Sequence, residues 1–418
     1  MNSGTILTSP SEETRPGAPA GATASWKLAL VCDFLEERWP SMDLFGDMLF
    51  QTFTSGHASL IQVEQLRPTL RPRLSRWPLG GASGALWNAD RLLNRFHDYP
   101  AWLRRRAARF DLFHLVDHSY SQLILELPGD RTVVTCHDLD TFQCILEPEA
   151  DPRPRWFRAM AQRSLKGFLR AAHVISVSAF TRDNLLRHGL LPADRITVIP
   201  PGADPVFFAE QSAGEDTSVR GFLPQEPFLL HVGSTIPRKR IDVLLRVFAG
   251  ALRAFPDLRL VRVGGAFTAG QQALADELGA AGRIVQAPHL TKPQVAAVYR
   301  QAALVLQPSS AEGFGLPVIE ALACGCPVLA SDIPPLREAG GAAAEYRTPD
   351  DVEAWIETVV QLLRERNTSP ETWELRRERG SRHAADYTWG ENARRTIEVY
   401  RQVRQSHDAP LPERTALS

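Results

Sequence analysis

Residues Ala303–Asp332 read ALVLQPSSAEGFGLPVIEALACGCPVLASD, and their punctuation decides the fold. ALVLQPS (Ala303–Ser309) is a short apolar run of strand length, and CPVLASD (Cys326–Asp332) is another. Between them Pro317 takes the favoured first-turn position of a helix, and Gly325 is placed to end it. Strand, loop, helix and strand in succession make a crossover unit of a parallel sheet. Glu312 and Glu320 bracket the start of that helix with seven residues between them, Glu320 inside the first turn and Glu312 just outside. The pair admits two readings. Glu320 accepts ligand hydroxyls while the backbone N–H groups between the acids take other ligand oxygens, or both acids simply stabilise the helix dipole.

The same alternation extends outward. KLALVCD (Lys27–Asp33), FDLFHLVD (Phe110–Asp117), RTVVTCHD (Arg131–Asp138) and AAHVISVS (Ala171–Ser178) read as strands, the last leading into the helical AFTRDNLLRHG. RITVIPPGADPVFF, with Pro200, Pro201 and Gly202, reads as the handover from one domain to the next. A second series follows: FLLHVGS (Phe228–Ser234), the helical IDVLLRVFAGALRAF, and LRLVRVGG (Leu258–Gly265). The chain closes on an amphipathic helix, YTWGENARRTIEVYRQV (Tyr387–Val403). The expected organisation is two doubly wound α/β domains facing each other. A disordered tail over 1–24 precedes a first domain over 25–203 and a second over 204–385. A returning helix over 386–405 and a flexible tail over 406–418 complete the chain.

Of the 418 residues 44% are apolar and 23% charged, and the net charge is −1, so whole-molecule electrostatics give no case for nucleic acid. The five cysteines (Cys32, Cys136, Cys144, Cys324, Cys326) show no CxxC spacing, which argues against a zinc site or disulfide framework and for thiols in a reducing cytosol. No stretch approaches the ~18 apolar residues of a membrane span. A cytoplasmic protein is expected. Charge is nevertheless uneven. Arg67–Arg109 holds ten Arg and only two acids, Asp90 and Asp98, among Trp77, Trp87, Phe96, Tyr99 and Trp102. That composition suits either a solvated helical face over core aromatics or peripheral contact with an anionic membrane.

Ligands of open parallel sheets sit beyond the carboxyl ends of strands. Three such ends in the second half are unusual. Gly233-Ser234 is followed by TIPRKR, which puts Arg238 and Lys239 ahead of a helix starting near Ile241, a seat for a diphosphate. Gly264-Gly265 lacks side chains that would hold a ligand off the backbone. The third is the Glu312–Glu320 segment.

EGFGLPVIEALACGCPVLASD closely resembles the E-x7-E segment of the family 4 retaining glycosyltransferases, which have the two-domain GT-B fold. HVGSTIPRKRIDVLLRVF, AAHVISVSAFTRDNLL, ITVIPPGAD, VYRQAALVLQPS and YTWGENARRTIEVYR are similar to further segments of that family in its usual order. The resemblance runs from about Lys27 to Arg404. It implies transfer of a hexose from a nucleotide diphosphate sugar such as GDP-mannose or UDP-glucose to a glycan or lipid-linked acceptor. Anomeric configuration would be retained, with no cofactor and no metal. By position it assigns Glu312 to donor-sugar hydroxyls and Glu320 to the ribose. Arg238 and Lys239 fall to the diphosphate, and Gly233, Ser234, Gly264, Gly313, Phe314, Gly315 and Leu316 to the donor's surroundings. His118, in LVDHSYSQL, matches a histidine near the reacting sugar, and His137, in TCHDLD, is the second candidate. The base would lie near Pro288-His289-Leu290.

One departure stands out. Where the family often has a glycine-rich turn after its first strand, this chain has Trp39-Pro40-Ser41-Met42, whose bulk would narrow the approach. Asp43 is a candidate acceptor contact there. Asp138-Leu139-Asp140 resembles the metal-binding DxD of the other major glycosyltransferase fold, but follows a strand here and reads as a loop. Two other classes bear on the same architecture. A dinucleotide-dependent oxidoreductase would need a complete GxGxxG at a strand–helix junction, and GGASG (Gly80–Gly84) follows no strand. A non-catalytic nucleotide-sugar-binding or scaffold protein would keep the donor residues with a closed acceptor side.

Overall fold

Parallel sheets covered on both faces need strands that are apolar along their whole length. LFHL, TVVTC, HVIS, LVLQ and VLAS come close to that demand, with buried polar residues such as His114, Thr135, Gln307 and Ser331 among them, and are buried throughout. The computed structural model describes residues 25–75, 84–209, 219–287 and 289–408. The expected N-terminal tail, Trp77, most of Gly80–Gly84, Pro288 and the chain after residue 408 lie outside the described residues.

Two six-stranded sheets organise the chain. The first contains β1 (Trp26–Val31), β2 (Ile61–Leu66), β3 (Leu112–Leu115), β4 (Thr132–Cys136), β5 (His173–Ser176) and β6 (Ile196–Val198). Their order is β2-β1-β3-β4-β5-β6, all parallel. The second contains β7 (Phe228–Val232), β8 (Arg259–Val263), β9 (Ile284–Gln286), β10 (Leu304–Gln307), β11 (Val328–Ser331) and β12 (Glu345–Arg347). Their order, β12-β11-β10-β7-β8-β9, is again all parallel. Each sheet therefore reverses its winding once, between β1 and β3 in the first and between β7 and β10 in the second.

Reading from sequence finds the central strands and misses the edges. β2, β9 and β12 were not expected, and β6 lies inside the segment read as a handover. Edge strands bury one side at most and need no continuous apolar run. IQVEQL alternates, and IVQ and EYR are too short to show a pattern.

The chain passes between the halves twice in close company. Ala203 donates its N–H to the Tyr387 carbonyl at 2.9 Å and bridges Thr388. A Cβ on Gly202 would lie 2.3 Å from the Trp389 nitrogen, so only glycine lets the two crossings touch. The last helix, Trp389–Asp408, returns to the first sheet and runs past the boundary expected at 405. Its Trp389, Ile397 and Tyr400 pack with Leu28, Leu30, Phe45 and Phe53. Buried His114 on β3 ties it down, with Nδ1 2.6 Å from the Tyr400 hydroxyl and Nε2 2.8 Å from Thr135 Oγ1. Burial holds that imidazole neutral, its pKa down to about 3.

Candidate active site

The reversal between β7 and β10 leaves a crevice at their carboxyl ends, where a doubly wound sheet binds its ligand. After β7 the chain turns through Gly233 and Ser234, makes a single turn over Pro237–Lys239, and starts the helix Ile241–Ala251. After β10 it loops to Gly315 and enters the helix Leu316–Ala323. Ser310 donates its N–H to the Arg238 carbonyl at 2.8 Å, which ties the two loops together.

Glu312 is the centre of this tie. Lys239 Nζ donates to its Oε1 at 2.6 Å, Gln307 Nε2 donates to the same oxygen at 3.0 Å, and Arg238 donates to its Oε2 at 3.1 Å. Only 8% of the Glu312 side chain is exposed. Burial alone would raise its pKa, but Lys239 and Arg238 overcome that and hold it below the usual carboxylate range. Glu320 has the opposite balance. Burial pushes its pKa up to about 7, with Asp204 adding to the rise and the hydroxyl of buried Tyr299, 3.1 Å from Oε2, opposing it. Its side chain still reaches the cleft.

Neither acid caps the helix. It begins one residue earlier than expected, with Gly315 at its N-cap, so Glu320 opens the second turn and the first turn holds no acid. Helix capping alone therefore accounts for neither residue. Gly315 is required where it stands, at φ +120° with a would-be Cβ 2.7 Å from Leu336.

A cleft of about 430 Å³ runs between the halves. Ser234, Arg238, Lys239, Glu312, Glu320 and the backbone from Gly313 to Pro317 line one wall. Ser41, Met42, Leu44, Phe45, His137 and Asp138 line the other, with Val177 and Pro201. A Cβ on Gly313 would lie 2.4 Å from the His137 carbonyl, so the halves meet there backbone to backbone.

The sequence-derived candidates do not all converge. His137 faces the cleft with Nε2 2.7 Å from the Val116 carbonyl and its ring edge-on to Phe45 at 5.0 Å. His118 sits behind it, buried, its ring 6.3 Å from that of His137. Gly233 spends its N–H on the Val263 carbonyl at 2.9 Å. Gly264, at φ +114°, packs against it, and a Cβ there would lie 2.3 Å from the Gly233 oxygen. Backbone, not ligand, fills the space the missing side chain leaves. In the loop without glycines, Trp39 turns outward, 52% exposed, leaving Ser41 and Met42 at the cleft. Asp43 lies 3.8 Å from Arg67. Among the described residues no group of three or more His, Cys, Asp or Glu is arranged to hold a metal ion. Tyr299 and Gln307 escaped sequence reading, although a glutamine ending the apolar run ALVLQ was a signal.

The first sheet has its own reversal. Asp33 follows β1 and Asp117 follows β3, each two residues past the strand end. Asp33 is buried with neither oxygen hydrogen-bonded to a donor of the described residues. Burial, then the Asp117 charge, holds its pKa well above the usual range. Asp117 stays ionised despite its burial, its pKa down to about 2, through His118, His137 and the hydrogen bonds of Ser119. Arg95 lies over the Tyr120 ring at 3.9 Å and 3.7 Å from Glu37, whose side chain is sealed from solvent.

Comparison with known proteins reports on both halves. The family model described as Glycosyltransferase Family 4 matches residues 52–207, and that described as Glycosyl transferases group 1 matches residues 215–381. A D-inositol 3-phosphate glycosyltransferase of Mycobacterium sp. (strain KMS) is 33% identical over 336 residues, 75% of this chain and 74% of that protein. One of the same name from Nocardia farcinica is 36% identical over 219 residues, 50% of this chain and 47% of that protein. The chain thus spans about half the length of several curated relatives it matches. Among solved structures, sucrose-phosphate synthase from Thermosynechococcus elongatus superposes with a TM-score of 0.68 at 20% identity, covering 91% of this chain and 100% of that one. Anabaena Alr3699/HepE in complex with UDP-glucose gives 0.63 at 16% identity, covering 91% and 99%. At these identities the structural likeness speaks for the fold alone.

Proposed function

Since the chain belongs to the family 4, group 1 glycosyltransferases and has their GT-B fold, we propose that it transfers a hexose of mannose or glucose type from a nucleotide diphosphate sugar. The acceptor is a hydroxyl of a glycan, glycolipid or other glycoconjugate, and the anomeric configuration is retained. The observation that carries this reading is the Glu312 node at the second sheet's reversal, where one ionised carboxylate holds two cations at a loop–helix junction. A sugar hydroxyl donates to Glu312, and ribose hydroxyls donate to Glu320. Lys239 and Arg238 face the diphosphate and stabilise the charge that grows on it as the glycosidic bond breaks. They supply the positive charge that a metal gives elsewhere, so no metal or other cofactor is assigned. His137, on the opposite wall, closes over the donor sugar. UDP-glucose bound to HepE supports the donor class.

A thermal-shift panel of nucleotide diphosphate sugars tests this directly. The cognate donor at a hundredfold excess over its Kd stabilises the protein by about 2.7 kcal/mol, and Glu320→Ala loses that shift. No stabilisation of the wild type by any member sinks the donor reading.

A second element of the proposal is peripheral contact with an anionic membrane on the cytoplasmic face. Among the described residues no helix is long and apolar enough to cross a membrane. Leu35, Trp39 and Leu74 are exposed on the first half, on the stretches that also carry exposed Arg38, Arg71 and Arg73. Cation attraction to lipid phosphate and interfacial burial of Trp39 act together. Flotation with anionic liposomes at low and moderate salt checks it, and absence from the lipid fraction at both salts removes it.

A further inference from the structure

Beside the donor cleft lies a second chamber of about 270 Å³. Asp138, Arg238, Glu312 and Gly313 line both cavities, so a group in the second chamber reaches the same carboxylate and cations as the donor. Its remaining wall comes mainly from two helices of the first half, Asp140–Leu146 and Ala179–Arg187, through Asp140, Gln143, Asn184 and Arg187.

Its charges differ in kind from those of the donor cleft. Arg238, the cation common to both, is held by Glu312 and by the Ala311 carbonyl at 3.0 Å. Glu147 is engaged by Gln143 Nε2 at 2.5 Å and faces His188 Nε2 at 3.6 Å. The Asp140 carboxylate and the Asn184 amide have no hydrogen-bond or ion-pair partner among the described residues. Burial and the neighbouring Asp138 charge hold the Asp140 carboxyl above its usual range. Asp138 spends one oxygen on the Asp140 N–H at 3.1 Å. Behind it His118, with 4% of its side chain exposed, points Nε2 at the same Asp138 oxygen from 3.6 Å without a hydrogen bond of its own. The one cation here without such a partner, Arg187, is exposed, as is Asp140.

We propose that this chamber is the acceptor site, and that the Asp138 and Asp140 carboxylates select an acceptor whose entering end is a polyhydroxylated ring without an anionic substituent. The proposal rests on the donor reading above. Vicinal hydroxyls donate to Asp138, Asp140 and the Asn184 carbonyl, while a phosphate on that ring meets two carboxylates at close range and is repelled. In the transfer step the acceptor oxygen bonds to the anomeric carbon. The bond from that carbon to the diphosphate oxygen breaks with its electron pair, and the hydroxyl proton leaves on the diphosphate.

The test uses the full chain with the donor identified by thermal shift, and reads nucleoside diphosphate release with neutral monosaccharides and myo-inositol, each beside its phosphate ester. Neutral rings are expected to be used at least tenfold better, by kcat/KM, than their phosphate esters. Asp140→Asn narrows that gap, whereas Asn184→Trp, which fills the chamber, raises acceptor KM at least tenfold. Both variants keep the donor thermal shift, which shows that they fold and bind donor. A phosphate ester as the best acceptor overturns the selectivity. Wild-type acceptor KM in a folded Asn184→Trp that still binds donor overturns the site. Loss of donor binding by the wild type is a different failure, that of the donor reading.

Discussion

The two sheets reverse their winding in the same way, yet they treat charge at the reversal in opposite ways. Beyond β7 and β10 the ionised Glu312 meets Lys239, Arg238 and Gln307 at 2.6–3.1 Å. Beyond β1 and β3 the buried Asp33 carboxyl lies beside the Asp117 charge, and its pKa is held well above the usual range. In the second half the Glu312 charge has its burial offset by Lys239 and Arg238, two cations that the proposed reading fixes in advance for a diphosphate. Such preorganisation costs nothing at the moment of reaction. In the first half the charges are stacked behind the cleft wall, from Asp33 through Asp117 to His118 and Asp138, and only the last of them lines the cleft. One reversal is built to hold charge for a substrate, the other to position a wall.

The largest expected effect comes from breaking the compensated side. Lys239→Ala removes the closest partner of Glu312 and one of the two cations proposed to face the departing diphosphate. Loss of one such electrostatic group costs about 10²–10³ in turnover, so kcat should fall by that factor. The donor thermal shift should fall by much less, because Arg238 remains. An equal fall in kcat/KM and kcat would place the loss in the transition state. A variant with unchanged kcat would mean that Lys239 serves only to neutralise Glu312.

The uncompensated side should respond in the opposite sense, gaining stability when its charge is removed. Asp33 has a folded pKa raised above the ~3.9 of an unfolded Asp. Its contribution is therefore fully present below about pH 4 and is lost as pH rises toward the folded pKa, at up to about 1.4 kcal/mol per pH unit. Asp33→Asn keeps a donor toward Asp117 and cannot ionise. Urea denaturation should find the variant equal to wild type near pH 4 and more stable by about 1–3 kcal/mol at pH 7. A constant difference across that range would show that Asp33 carries no proton in the folded state.

How far this contrast was legible in the sequence follows from local chemistry. Glu312, Arg238 and Lys239 stand out because acids and cations at loop–helix junctions are anomalous against apolar strands, and local spacing records that. Asp33 and Asp117 lie 84 positions apart and meet only because β1 and β3 are neighbours. Nothing local to either reports the other. The same reason hid Tyr299, which reaches Glu320 from the helix Lys292–Gln301. It also let His118 pass for a cleft residue, when one further strand places His137 in front of it. Central strands were readable from continuous apolar runs and edge strands were not, because burial on both faces is what writes such a run.

Glu320 sharpens the contrast within the cleft, since its burial, unlike that of Glu312, is not offset. With its pKa pushed up to about 7, the carboxylate proposed to accept ribose hydroxyls is only partly formed at neutral pH. Affinity for the nucleotide sugar should rise from pH 6 to pH 8, by up to about tenfold per unit below the midpoint. Glu320→Gln should bind more weakly at pH 8 and show a flat profile. A flat wild-type profile would mean that the ribose contact does not depend on ionisation.

The smallest effect isolates what Tyr299 adds. Its hydroxyl donates to Glu320 Oε2 at 3.1 Å and works against burial by favouring the charged form. Tyr299→Phe deletes that donor and keeps the ring, which packs edge-on to Phe207 at 5.9 Å, so no cavity forms. One hydrogen bond is worth about 1 kcal/mol, and a pKa unit is about 1.4 kcal/mol. The midpoint of the affinity profile should therefore move upward by somewhat less than one pH unit, while binding well above the midpoint changes little. The sign is what matters. A downward shift would mean that the hydroxyl had been stabilising the neutral acid, and an unmoved midpoint would leave burial and Asp204 as the whole cause of the raised pKa. Only an upward shift makes Tyr299 the partial counterpart, at Glu320, of what Lys239 does completely at Glu312.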